Sequence, residues 1–241
     1  MTLTDKLGFR INPKAEKRLL NDFGLEFTQQ LFGPERFFEL RNIDYGQGFK
    51  MATFPEVSSF LSVILREEGK RYDSFKESIS FRRKNYSLVG NTALFSRDKR
   101  IYVQDNPNLD FEGVVIDERI LEDMQRESND VSYNKDRTIR ATRSDFEISR
   151  TGWGCGTSDL FQPEKNRGFI ALVGGTKNAE ELSRSLHLNN TGLFFYIHKE
   201  IPFPQVKIPS FEDGVSWTFQ VGLNATSKDQ QYVSLGVRKI A

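Results

Sequence analysis

The period of the apolar residues changes once along this chain, near Tyr86, from spacings of three and four to a spacing of two. A stripe at three and four suits one face of a helix, whereas strict alternation suits a half-buried strand. Before the change, Lys14 to Leu31 reads as a helix after an Asn12-Pro13 start, with Leu19, Leu20, Phe23, Phe27 and Leu31 as its stripe and Gly24 as its one interruption. Pro55 opens a second helix, in which Val57, Phe60, Leu61, Ile64 and Leu65 recur up to Gly69, and Tyr72 to Phe81 reads as a third. After the change, Tyr86–Phe95, Arg100–Gln104 and Phe111–Asp117 read as an antiparallel meander. Glu118 to Glu127 reads as a short helix. A polar excursion follows over Ser128 to Asn166, with a hairpin around Thr138 to Ile148.

The last third carries a β-α-β pattern: an apolar strand Gly168–Val173, a Gly174-Gly175 turn, a helix Asn178–Leu188 with Asn178 and Glu181 as a capping box, and a strand Gly192–His198. Ser216–Asn224 and Gln231–Arg238 alternate cleanly and are expected to pair as a hairpin or as neighbours. Segregated helices and strands predict an α+β class: a helical N-terminal third, then a mainly antiparallel sheet region with one β-α-β unit. The corresponding division is a helical subdomain over 1–85 and a β-rich domain over 86–241, or one continuous domain.

Composition narrows the function classes. With 34 Lys and Arg against 33 Asp and Glu, the chain as a whole has no field to steer polyanions. Its single cysteine, Cys155, forms no internal bridge, which suits a reducing, cytoplasmic setting. No run of eighteen apolar residues predicts a membrane span, and Met1 to Arg10 lacks the apolar stretch of a signal peptide. With His187 and His198 the only histidines, no cluster has metal-ligand spacing, and no cofactor or metal is expected. Phe supplies 21 of the aromatic residues, beside 7 Tyr and 2 Trp, and predicts a Phe-rich core more strongly than an interface.

Three motifs carry chemistry. Gly152-Trp153-Gly154-Cys155-Gly156 resembles the sequence around the nucleophile of papain-like proteases that process ubiquitin-like modifiers, where such a run leads into a helix whose dipole favours the thiolate. The resemblance covers five residues and implies a cysteine hydrolase or transferase, with Cys155 as nucleophile, His198 as base and Asp159 or Asp213 as orienter. Those families place an Asp and a His close together after the cysteine, whereas neither His187 nor His198 follows an Asp here.

Gly174, Gly175, Thr176 and Lys177, read as a strand-to-helix turn, resemble phosphate-binding turns in general, with backbone N–H groups and one cation facing an anion. They match neither nucleotide-binding glycine signature. The third motif is a charge run: Arg66 to Arg100 holds ten basic residues against five acidic, and Asp105 to Asp130 nine acidic against two basic. Within the first, Arg82, Arg83, Lys84 and Tyr86 combine cations with an aromatic, a pattern that grips a phosphate backbone and stacks on bases. The leading expectation is a non-enzymatic binding or assembly protein, a homo-oligomer or particle subunit touching nucleic acid through that run. The cysteine enzyme and the phosphate or nucleotide binder stand as alternatives.

Overall fold

Asn12 and Pro13 start the first helix by complementary means. The Asn12 side chain accepts a hydrogen bond from the Lys14 amide at 2.9 Å, and Pro13 brings a preset φ where no amide donor is needed. The computed structural model describes residues 7–8, 10–67, 86–97, 100–107, 138–142, 166–188, 192–195, 206–213, 217–224 and 231–240, which form a mixed α+β fold. The first helix, α1 (Pro13–Arg18), runs into a π-helical turn over Leu19–Phe23.

Gly24 then adopts a left-handed conformation with φ 60° and ends the helix. The chain continues as an eleven-residue strand, β2 (Leu25–Glu35), so the helix expected over Lys14 to Leu31 is corrected in its second half. The reason is arithmetic. Phe27 and Leu31 lie four apart, a spacing that serves a helix face and, as a multiple of two, a strand face equally well. Both side chains are buried in the main core from the strand.

The sheet contains β1 (Leu7–Gly8), β2, β3 (Lys50–Met51), β4 (Ser87–Val89), β5 (Thr92–Arg97), β6 (Arg100–Asp105), β7 (Thr138–Thr142), β8 (Gly192–Phe195), β9 (Val206–Asp213), β10 (Trp217–Asn224) and β11 (Tyr232–Lys239). Its main path runs β1-β2-β11-β4-β9-β5-β6-β7, with β3 beside β11, and β10 between β9 and β8. Pairing is mainly antiparallel; β11 with β4 and β10 with β8 are the parallel pairs among the described residues. The expected hairpin of β5 and β6 is present, with Arg97 opposite Arg100. The expected pairing of the last two strands is not. β10 lies against β9 and β8, while β11 takes β2 on one edge and β3 and β4 on the other. Residues Tyr232 to Val237 are buried on both faces, which demands an interior place in the sheet that a terminal hairpin would not supply.

Helix α2 (Phe37–Leu40) is a single turn. The long helix α3 (Phe54–Glu67) confirms the stripe read from the sequence: Val57, Phe60, Leu61 and Ile64 are buried, each contributing roughly 1.5–3 kcal/mol by removal from water. Two further helices follow, α4 (Arg167–Val173) and α5 (Thr176–Leu188). Gly168–Val173 is therefore helical where a strand was expected, and the β-α-β unit becomes helix, helix, strand. A short apolar run does not distinguish a buried helix from a buried strand by periodicity. Here Asn166 decides it, its side-chain oxygen accepting from the Phe169 amide at 2.8 Å as an N-cap.

The sheet separates two buried clusters. Adjacent residues point opposite ways: Leu88 and Val233 join α3, α4 and α5 in the larger cluster, whereas Val89 and Tyr232 join Phe32, Phe37, Leu40 and Tyr45 in the smaller. Phenylalanines fill both, and Phe54 stacks on Phe211 with ring centroids 4.9 Å apart. The expected elements at Tyr72–Phe81, Phe111–Asp117 and Glu118–Glu127 lie outside the described residues.

Candidate functional site

The α4–α5 turn brings together the residues expected to bind phosphate. Gly174 ends α4 with φ 93°, and its amide donates to the Ala171 carbonyl at 3.4 Å. The Gly175 amide donates to the Ile170 carbonyl at 2.8 Å, so both glycine N–H groups complete the end of α4. Thr176 opens α5, and Lys177 places its ammonium 5.1 Å from the centre of the Phe23 ring, a cation–π contact with the π-helical turn.

Asn178, expected as a helix cap, is instead the third residue of α5 and faces inward. Its side-chain amide donates to the Val173 carbonyl at 2.8 Å and to Ser59 Oγ at 2.8 Å, and approaches the Pro55 carbonyl at 3.4 Å. It thereby ties α3, α4 and α5 at one buried point, and Ser185 adds a second tie by donating to the Ser62 carbonyl at 3.0 Å. Glu181, its expected capping partner, pairs with Arg18 at 2.9 Å.

Tyr86 is half-buried against the larger core cluster, and Ser87 next to it pairs with Tyr232 on one side and Glu212 on the other. Arg82, Arg83 and Lys84 lie outside the described residues, as do Cys155, Asp159 and His198. Among the described residues no group of three His, Cys, Asp or Glu side chains could hold a metal ion, and no helix is long and apolar enough to cross a membrane.

A polar corner that no sequence motif marks lies where α2, the start of α3 and the end of β6 meet. Gly90 makes it close: a Cβ there would fall 2.3 Å from the Phe54 nitrogen and 2.5 Å from the Thr53 carbonyl carbon. The Phe54 amide, at the start of α3, donates to Thr92 Oγ1 at 2.9 Å, and that hydroxyl donates to Asp105 Oδ1 at 2.6 Å. A buried carboxylate thus stands one hydroxyl away from the positive end of a helix. The next two residues continue the pattern. The Asn106 amide donates to the Asn91 carbonyl at 2.8 Å, and the Asn91 side-chain amide returns to Asn106 Oδ1 at 3.2 Å. Arg41, just past α2, donates through Nη2 to the Pro107 carbonyl.

Only the turn residues Asp105 to Pro107 and the Gly90-Asn91 break give any local signal here; Arg41 gives none, because its partner lies 66 residues away along the chain. Comparison of the chain with protein-family models, with curated proteins and with solved structures gives no match.

Proposed function

We propose that the chain is a binding or assembly protein, a subunit of a homo-oligomer or larger particle that contacts nucleic acid through Arg82, Arg83 and Lys84. The observation that supports this reading is the attachment of that basic run. Two residues after Lys84, Tyr86 packs on the larger core cluster, and β4 follows with strands on both edges. Three adjacent cations are joined, at their C-terminal side, to the middle of a sheet rather than to its rim. Cations whose chain neighbour is held in the core start with less freedom to lose on binding a polyanion than cations far from any packed residue.

The test is native mass by light scattering before and after nuclease treatment, with the 260 to 280 nm absorbance ratio recorded. A large or nuclease-sensitive particle is the expected result; a monomer free of nucleic acid sinks the proposal. Arg82/Arg83/Lys84→Ala should abolish polyanion binding, and unchanged binding would move the contact elsewhere.

A further inference from the structure

We propose that β11 is exchanged between two copies of the chain, each copy's β11 filling the slot between β2 and β4 of the other. This exchange rests on the homo-oligomer reading above and supplies its interface. β10 is antiparallel to β9, β9 is antiparallel to β4, and β4 is parallel to β11, so β10 and β11 run the same way with β9 and β4 between them. Parallel strands are ordinarily joined by a crossover of a dozen or more residues. Here residues 225–231, seven in all, separate Asn224 at the end of β10 from Tyr232 at the start of β11.

The register measures what those residues must span. Thr218, Glu212, Ser87 and Tyr232 lie in one line across the sheet, so Tyr232 stands three strand spacings from Thr218, about 14 Å. Asn224 lies six residues further along β10, roughly 17–20 Å from that line once the bulge after Val221 is allowed for. The diagonal is about 22–24 Å, against a full reach of about 26–29 Å for the eight steps from Asn224 to Tyr232. That diagonal cuts through β9 and β4, and clearing the sheet by the usual layer distance of about 10 Å uses up the difference. A link without slack favours exchange between copies over closure within one. The slot does not discriminate, because β2 on one edge and β3 and β4 on the other bond to the same backbone whichever copy supplies it. It has to be filled, since Tyr232 to Val237 are buried there.

The experiment is a disulfide trap across the β2–β11 pair in the full chain. Glu26 and Arg238 face each other in register and form an ion pair, and directly opposed strand residues lie within disulfide range. Glu26→Cys/Arg238→Cys, in a Cys155→Ser background, is oxidised and run on a denaturing, non-reducing gel, and native mass is measured by light scattering after nuclease treatment. The expected result is a mass of at least twice the 27.8 kDa chain, with the disulfide joining two chains. An oligomer whose disulfide closes within one chain overturns the exchange and leaves the homo-oligomer reading standing; a monomer overturns both. Should no disulfide form, insertion of six Gly and Ser residues after Ser227 decides instead. A longer link lets each chain close on itself, so a mass that falls by half supports the exchange, and an unchanged mass overturns it.

Discussion

Arg18 and Arg41 sit in different parts of the molecule and are treated oppositely by it. Arg18, where α1 meets α3 and α5, stands against Asp22 at 3.0 Å, Glu181 at 2.9 Å and Glu67 at 3.7 Å. Burial works against its charge, but the three carboxylates outweigh burial and raise its pKa. Arg41, in the corner beyond α2, is desolvated with only a carbonyl to offset the cost. The helical layer ties its elements together through Arg18 and Asn178, whereas the corner offers Arg41 one carbonyl, and both regions bury a donor without a partner, Asn166 Nδ2 in the first and Arg41 Nε in the second. Arg18 is thus met by three acids, whereas among the described residues none pairs with Arg41.

The contrast can be broken at several points. Asn178→Ala removes the tie among three helices and leaves the Val173 carbonyl and Ser59 short of partners, so it should cost about 3 kcal/mol in urea unfolding. A loss below about 1 kcal/mol would mean that the helical layer does not depend on this closure.

Next in size is Thr92→Val, a near-isosteric change that takes a partner from both the Phe54 amide and Asp105. About 2 kcal/mol is expected from the same unfolding measurement. A neutral result would place the corner's rigidity in the backbone bonds of Asn91 and Asn106 instead.

The paired arginine variants sharpen the comparison itself. Arg18→Met, which strands Glu181 with its side chain only 12% exposed, should lower stability by about 1–2 kcal/mol. Arg41→Met should stay within about 0.5 kcal/mol of wild type, because relief of the desolvation offsets removal of the hydrogen bond to Pro107. Equal destabilisation by the two substitutions in a denaturant series would erase the distinction between the two regions.

The smallest effect concerns the capping box of α2. Arg36 donates to Glu39, which holds the Glu39 carboxyl down to about 2, while burial and then the hydrogen bond to Glu39 push Glu35 up. A depressed acid stabilises the fold above its unfolded value, near 4.5, and loses that contribution as pH falls toward about 2. A raised acid does the reverse, its contribution being full below the unfolded value and lost as pH rises through the folded one. Carboxyl carbon NMR should show Glu35 protonating before Glu39 as pH falls, and Arg36→Gln should bring Glu39 back toward the ordinary range. Coincident titrations in the wild type would remove the Arg36–Glu39 contact from the account.

What the sequence reveals follows from how far its signals reach. Helix α3 is legible because Val57, Phe60, Leu61, Ile64 and Leu65 repeat over enough turns to exclude alternation. Phe27 and Leu31 are not, because their spacing satisfies both periods and only Gly24, in its left-handed conformation, separates them from the helix before. Strand β11 is legible as a strand from its own residues, but its neighbours β2, β3 and β4 belong to remote parts of the chain that no local pattern names. The corner is hidden for the same reason: Arg41 acquires its meaning from Pro107, and Phe54 from Thr92.

The position of β11 also sets a schedule. Thr28 on β2 and Gly236 on β11 bond to each other across 208 residues of chain. At synthesis rates of about 5–20 residues per second, β2 leaves the ribosome roughly 10–40 s before the strand that completes it. During that interval an eleven-residue strand bearing Phe27, Leu31 and Phe32 has none of its native β11 edge to bond to. In a crowded cell that exposes β2 to wrong partners until β11 arrives, and makes the speed of elongation a determinant of yield.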